Sequence, residues 1–362
     1  METMLKDFFN ISDHLLALDE QTMRDCTPEF AKIEAIRDYN QMKMLKTFTD
    51  CGVASRHLVG TTGYGYDDAG RDTLDRVFAM VTGSEDALCR ANFLSGTHAL
   101  TVALFGLLRT GDVLFAATGK PYDTLGGVIG LDGAEREGNG SLREFGVLYD
   151  ETPLVDGKPN LAEIAEKAKT AKVCHIQRSR GYASRPALSL ADIRAIANTA
   201  HKANPDVIVM VDNCYGEFTQ IAEPTAYGAD LIVGSLIKNA GGGIAPTGGY
   251  IAGRSELVER CAHRLTAPGT GRELGCSLDT LRELYLGLYY APGVTAEALK
   301  TSIYASRFFE LYGFETSPRY TDERNDIITG IETGSAKALC AICRGIQAGS
   351  PIDSFVAPEP YA

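Results

Sequence analysis

The stretch VIVMVDNCYGEFTQIAEPTAYGADLIVGSLIKNAGGG (207–243) decides the reading of this chain. It holds two short runs of apolar, largely β-branched residues, Val207–Val211 and Leu231–Ser235, too short for helices and bounded by turn residues. Such runs read as strands buried on both faces, as in a parallel sheet covered by helices. The first run ends in Asp212; the second ends in Ser235 and is followed by Lys238 and the flexible Gly241–Gly243. In an open parallel sheet the carboxyl ends of the strands border the ligand crevice, so Asp212 and Lys238, 26 residues apart, are both expected there. Period-2 alternation turns Cys214 to the same side as Asp212, beneath any ring bound there, and Asn213 to the other. A carboxylate at that edge can keep a pyridine nitrogen protonated, and a desolvated lysine beside a cation would have a lowered pKa and could form an imine. Taken singly, a capping aspartate and a solvated lysine explain the same residues; the combination favours chemistry.

Outward from this core, strand-like and helical segments alternate. Strands are expected at Ala87–Leu94, Val113–Ala117, Arg143–Tyr149, Val173–Gln177 and Gly249–Ala252, making seven with the two above. Helices fit Thr97–Leu108, Leu161–Lys169, Leu190–Ala203 and Arg254–Cys261. The fold class is therefore α/β, a mostly parallel seven-stranded sheet with helices on both faces. Residues 1–55 read as a helical arm, 56–277 as the large domain and 278–312 as a connecting helical tract broken at Pro292–Gly293. Residues 313–362 read as a small C-terminal α+β lobe, expected to be incomplete because APEPYA carries no terminating element.

Two further segments lie at strand ends. SGTHAL (Ser95–Leu100) opens an apolar helix, and the free N–H groups of a helix start favour a phosphate near Ser95, Gly96 and Thr97. Simple N-capping by Ser95 or Thr97 is the equal alternative. GKPYDTL places Tyr122 on a turn, where its ring could stack on a cofactor and its hydroxyl move protons; a structural tyrosine is the alternative. Ser235 could hydrogen-bond a phosphate. Gln177, Arg178 and Ser179 follow a central strand, and Arg178 is a weak candidate for the substrate, with a structural ion pair equally consistent.

Composition narrows the class. Hydrophobic residues make up 44% and charged residues 23%, and no run approaches the ~20 apolar residues of a membrane span. A net charge of −12, from 35 basic and 47 acidic residues, argues against a nucleic-acid partner. Nine scattered cysteines read as free, mostly buried thiols in a reducing compartment, and the cytoplasm is the expected location. The one CxxC, Cys340 and Cys343, lies in an apolar helical pattern and is read as core packing rather than a metal or redox site; no metal is expected.

The ordered set TTGYGYDDAGRDTL (61–74), SGTHA (95–99), GKPYDTL (119–125), IQRSRGYASRP (176–186), VDNCYGEF (211–218) and SLIKNAGGG (235–243) resembles the fold-type I pyridoxal-phosphate enzymes. The branch is that of methionine gamma-lyase and cystathionine beta-lyase-like aluminium resistance proteins. The resemblance implies pyridoxal 5'-phosphate on Lys238 as a Schiff base, Asp212 on the pyridine nitrogen, Tyr122 stacked on the ring, and Gly96, Thr97 and Ser235 at the phosphate. It also implies a homodimer or homotetramer with shared sites. The family's Tyr-x-Arg segment, supplied by a neighbouring subunit, reads here Tyr64-Gly-Tyr66 and lacks the arginine. The implied activity is carbon–sulfur bond cleavage in a sulfur amino acid by β- or γ-elimination. An aminotransferase and a non-catalytic cofactor-binding regulator are the alternatives.

Overall fold

The computed structural model describes residues 2–131 and 138–360. In chain order it comprises α1 (Glu2–Phe9), α2 (Asp13–Asp50), α3 (Ala69–Thr82), β1 (Asp86–Arg90), α4 (Gly96–Leu107), β2 (Val113–Ala116) and α5 (Asp123–Ile129). There follow β3 (Leu148–Glu151), α6 (Leu161–Lys167), β4 (Val173–Gln177), α7 (Leu190–Ala203), β5 (Ile208–Asp212), β6 (Leu231–Ser235), β7 (Gly249–Gly253) and α8 (Ser255–Leu265). The chain ends with α9 (Leu281–Tyr312), β8 (Glu315–Ser317), β9 (Gly330–Glu332) and α10 (Ala336–Ala348). It forms two compact units, Ala31–Lys300 with Arg324–Ile328, and the remainder.

The larger unit is an α/β fold around a seven-stranded sheet of order β1-β7-β6-β5-β4-β2-β3. Strands β2 to β6 run parallel, and β7 lies antiparallel between β6 and the edge strand β1, with Asp86 opposite Gly253. Strand alternation builds two separate cores. Cys174, Ile176, Val209, Val211 and Ile232 pack with Val77 and Phe78 of α3 and Ile193 and Ile196 of α7. Their neighbours Val173, Ile208, Met210, Leu231 and Val233 pack with Leu100 and Leu104 of α4 and Val258 of α8. Both faces of the central strands are dry, which is why they read as unbroken apolar runs rather than alternating ones.

The smaller unit joins the two helical ends by side-chain contacts. The Arg307 guanidinium pairs with Asp25 at 2.6 Å and holds that carboxyl below the usual range. The Tyr304 hydroxyl donates to Asp19, also at 2.6 Å. Strands β8 and β9 pair antiparallel, Glu315 opposite Glu332. Ser335 caps α10, its hydroxyl accepting the Ala338 N–H at 3.2 Å.

Three expectations are corrected. The strand expected at Arg143–Tyr149 begins only at Leu148. The Glu144 carboxylate accepts N–H groups of Gly138, Asn139 and Gly140, and Gly146 takes φ +76°, so the segment before it curls into turns. The expected break at Pro292–Gly293 is absent: α9 runs on through Pro292, its Leu288, Ala291, Ala296 and Leu299 all buried. Packing on that face outweighs the single hydrogen bond that proline forfeits. The CxxC is not core packing either. Cys343 is exposed, Cys340 is half-buried, and α10 buries none of its residues. An apolar stripe shows which side of a helix is adhesive, not whether another element covers it.

Candidate active site

The carboxyl ends of β4, β5 and β6 converge on a cavity of about 380 Å³. Sheet pairing sets Gln177 beside Asp212, and Asp212 beside Val233, two residues before Ser235. The first turn of α4 supplies Ser95, Gly96 and Thr97, and the N-terminus of α5 supplies Tyr122; Cys214, Tyr215 and Lys238 complete the interior. Asp212, Cys214, Ser235, Lys238, Tyr122 and the Ser95–Thr97 turn, chosen from sequence, thus share one cavity.

Several of these residues hold one another in place around the cavity. The Asp212 carboxylate accepts the Cys214 N–H at 3.1 Å. Burial lifts its pKa above the ordinary carboxylate range against the opposing pull of that N–H and of Lys238, and a more basic carboxylate grips a proton donor more tightly. Gln177 accepts the Tyr122 N–H at 3.1 Å, and its amide donates to the Ser179 carbonyl. The Tyr122 hydroxyl lies 3.2 Å from Thr97 Oγ1. Burial, helped by the charge of Asp212, pushes that hydroxyl up to about 12, so it stays protonated at neutral pH. Ser95 does cap α4, its hydroxyl accepting the His98 N–H at 3.1 Å, while also lining the cavity.

Lys238 departs from expectation. Its Nζ stands 4.1 Å from the centre of the Tyr215 ring. Burial lowers its pKa, but Cys214, Tyr215 and Asp212, with a hydrogen bond to Tyr215, outweigh burial and hold it above the ordinary lysine value. The cation expected to depress it is missing from the cavity's described lining, which contains no arginine.

Three other sequence candidates lie elsewhere. Arg178 is fully buried and turned behind the sheet edge: it donates to Asn213 at 2.8 Å and Thr219 at 3.2 Å, with Glu223 at 3.6 Å. The weak substrate role considered for it is withdrawn in favour of the structural ion pair. Tyr64 and Tyr66 are 74% and 56% exposed, on a loop that does not line this cavity. That loop is firmly pinned, since Arg71 donates to the Gly65 carbonyl at 2.7 Å and the Gly275 N–H donates to Tyr64. Sequence reading missed Tyr215, Tyr182, Thr124 and Ile237 in the lining. For Tyr215 the only local signal is its place after a strand end, where it takes φ +68°.

The residues present suit pyridoxal phosphate. The Ser235 hydroxyl is buried at the cavity with no hydrogen-bond partner among the described residues. Gly96 keeps the approach clear: a Cβ there would stand 3.1 Å from the Ser235 Cβ and 3.5 Å from the Cys214 sulfur. An unpaired hydroxyl beside the opening turn of a 12-residue helix is what a phosphate oxygen requires, and Asp212 is what a pyridine nitrogen requires.

The family model for methionine gamma-lyase matches residues 15–362. This chain belongs to that family. It is 47% identical to a carbon-sulfur lyase involved in aluminum resistance from Clostridium novyi NT, with a TM-score of 0.96 over 100% of this chain and 86% of that one. The uncharacterized protein YnbB of Bacillus subtilis is 44% identical over 331 residues, 91% of this chain and 78% of the relative. The pyridoxal-5'-phosphate dependent protein YhfS of Escherichia coli, at 15% identity, TM-score 0.62, and coverage of 88% and 81%, shares the fold. These likenesses, with the sheet described above, make the larger unit a fold-type I domain.

Proposed function

We propose that this methionine gamma-lyase family member is a pyridoxal-phosphate-dependent carbon–sulfur lyase acting on a sulfur amino acid. The observation that carries the reading is the meeting of Lys238, Asp212 and the unpartnered Ser235 hydroxyl in one cavity. When bound, pyridoxal phosphate supplies an electron sink for the pair left at Cα of an amino acid. Ser235, Gly96 and Thr97 would hold the phosphate, with Ser95 framing the turn. Asp212 would keep the pyridine nitrogen protonated, Cys214 would lie beneath the ring, and Tyr122 would stack on its other face.

Lys238 is the residue to which the cofactor would be joined and, once displaced by the substrate amine, the base that takes the Cα proton. Tyr122, kept protonated by burial, is the acid for the departing sulfur. In β-elimination sulfur leaves Cβ directly; γ-elimination requires a second proton to be removed, from Cβ, which Lys238 could take only after giving up the first. The exposed Tyr64 and Tyr66 are the residues that would reach the phosphate end of a neighbouring copy in a dimer or tetramer.

The test is the visible absorption of the purified chain with pyridoxal phosphate, before and after borohydride, with peptide mass spectrometry and Lys238→Ala as control. A band that borohydride removes, leaving a pyridoxyl group on Lys238, supports the reading. Release of thiol and keto acid from cystathionine, methionine or cysteine then identifies the substrate. Absence of both band and adduct overturns it. An arginine-free lining favours a second reading, cofactor binding without turnover, which predicts the adduct but no thiol from any of the three.

A further inference from the structure

The loop after β5 carries an acid that none of these roles uses. Glu217 is buried and does not line the cavity. Its Oε1 accepts the Tyr250 hydroxyl at 2.7 Å, while Oε2 has no hydrogen-bond partner among the described residues. Its main-chain carbonyl accepts the side-chain amide of Asn239 at 3.2 Å, and Asn239 directly follows Lys238. Tyr250 is fixed in turn: its ring lies 4.4 Å from that of Phe78, and its hydroxyl fits only because residue 234 is glycine, where a Cβ would stand 2.4 Å from it. A chain of contacts therefore runs from β7 through Glu217 to the residue beside Lys238.

A carboxylate with one oxygen unpaired is costly to bury, whereas the neutral acid is not. Five ionisable groups act on it: Tyr250 of β7, Cys214 and Glu223 of its own loop, Lys238 after β6 and Arg178 after β4. Burial is the largest influence and pushes Glu217 up to about 8.

We infer that Glu217 is a positioning residue for Lys238, fastening the lysine-bearing turn to β7 through Asn239 and Tyr250 and setting the charge behind the lysine. Below its ionisation Glu217 leaves Asp212 as the carboxylate acting on Lys238. Above it, the Glu217 proton passes to solvent and a second negative charge favours the ammonium over the free amine. The importance of Lys238 rests on the function proposed above, but its proton affinity can be measured without cofactor.

Cofactor-free wild type and Glu217→Gln are labelled with trace acetic anhydride from pH 6 to 10, and acetylation of Lys238 is followed by mass spectrometry. Glutamine keeps the size and an acceptor for Tyr250 but cannot ionise. The two profiles should coincide near pH 6.5, with the variant labelling about threefold faster by pH 9, as a new nearby charge requires. Superimposable profiles would overturn the inference. Should Glu217→Gln not fold, Tyr250→Phe provides the same decision: removing the donor to Oε1 should move the inflection in Lys238 labelling to higher pH, and an unmoved inflection overturns the inference. A wild type that shows this inflection yet forms no pyridoxyl adduct would sink the proposed function while leaving Glu217 as inferred.

Discussion

The two sides of the strand ends at β4 and β5 are built from adjacent residues and treat polarity in opposite ways. Asp212 and Cys214 face the cavity, where polar groups are left partly unmade: the Ser235 hydroxyl has no hydrogen-bond partner among the described residues, and Asp212 has the Cys214 N–H. Between them, Asn213 turns away into a dense cluster, accepting from Arg178 and donating to Glu223 at 2.9 Å. Glu223 also accepts the Phe218 N–H, and Thr219 accepts from Arg178. Gly216 permits this packing, since a Cβ there would stand 2.6 Å from the Arg178 side chain. The pleat thus sorts one short segment into a face open to a ligand and a face of interlocked side chains, in which Arg178 Nε stays unpaired among the described residues, suited to holding the first in place.

Substitutions should separate the two faces. The largest effect is expected from Lys238→Ala, which should abolish the borohydride-stable adduct and lower turnover by roughly a thousandfold or more, with an unchanged urea midpoint. On the opposite face Arg178→Ala strands Glu223 beside Asn213 and should cost about 3–5 kcal/mol in urea unfolding. Activity lost with stability intact would instead return Arg178 to the substrate. Asp212→Asn should lower turnover about a hundredfold at nearly constant stability. It also bears on pH. Because the Lys238 ammonium is held above its ordinary value, cofactor loading should speed up with pH from 7 to 9 in wild type, by less than tenfold per unit as Glu217 ionises. Removing the Asp212 charge lowers that affinity for the proton, so Asp212→Asn should load faster than wild type at the same pH. The smallest change is Ser235→Ala, expected to weaken cofactor binding about fivefold while stabilising the cofactor-free protein by about 1 kcal/mol, because a buried, unpaired hydroxyl is removed. Equal weakening of both properties would erase the contrast between the faces.

Where local chemistry determines local structure, the sequence was legible. Helix α7 starts where a capping box forms, Ser189 and Asp192 exchanging hydrogen bonds, and β4 and β6 match their apolar runs residue for residue. Asp212 and Lys238 could be paired because strand ends of a parallel sheet share one edge. The misreadings arose from side-chain contacts within a loop, from partners distant in sequence, or from burial. Glu144 curls its own loop by accepting three N–H groups, packing carries α9 through a proline, and nothing along α10 announces that its stripe is uncovered. Glu217 was invisible as a functional candidate for the same reason. Its hydroxyl partner comes from β7, and neither residue's own segment signals the meeting.

The position of β7 also fixes an order of events during synthesis. Strand β1 is the first made, yet its only neighbour in the sheet is β7, the last. At ordinary elongation rates Arg90 leaves the ribosome on the order of ten seconds before Gly249, its partner, exists. Throughout that interval the apolar edge Ala87–Cys89 has no strand to pair with, while β2, β4, β5 and β6 can already assemble as they emerge. A nascent chain stalled before Gly249 should therefore bind a chaperone through β1, and one stalled well beyond Gly253 should release it.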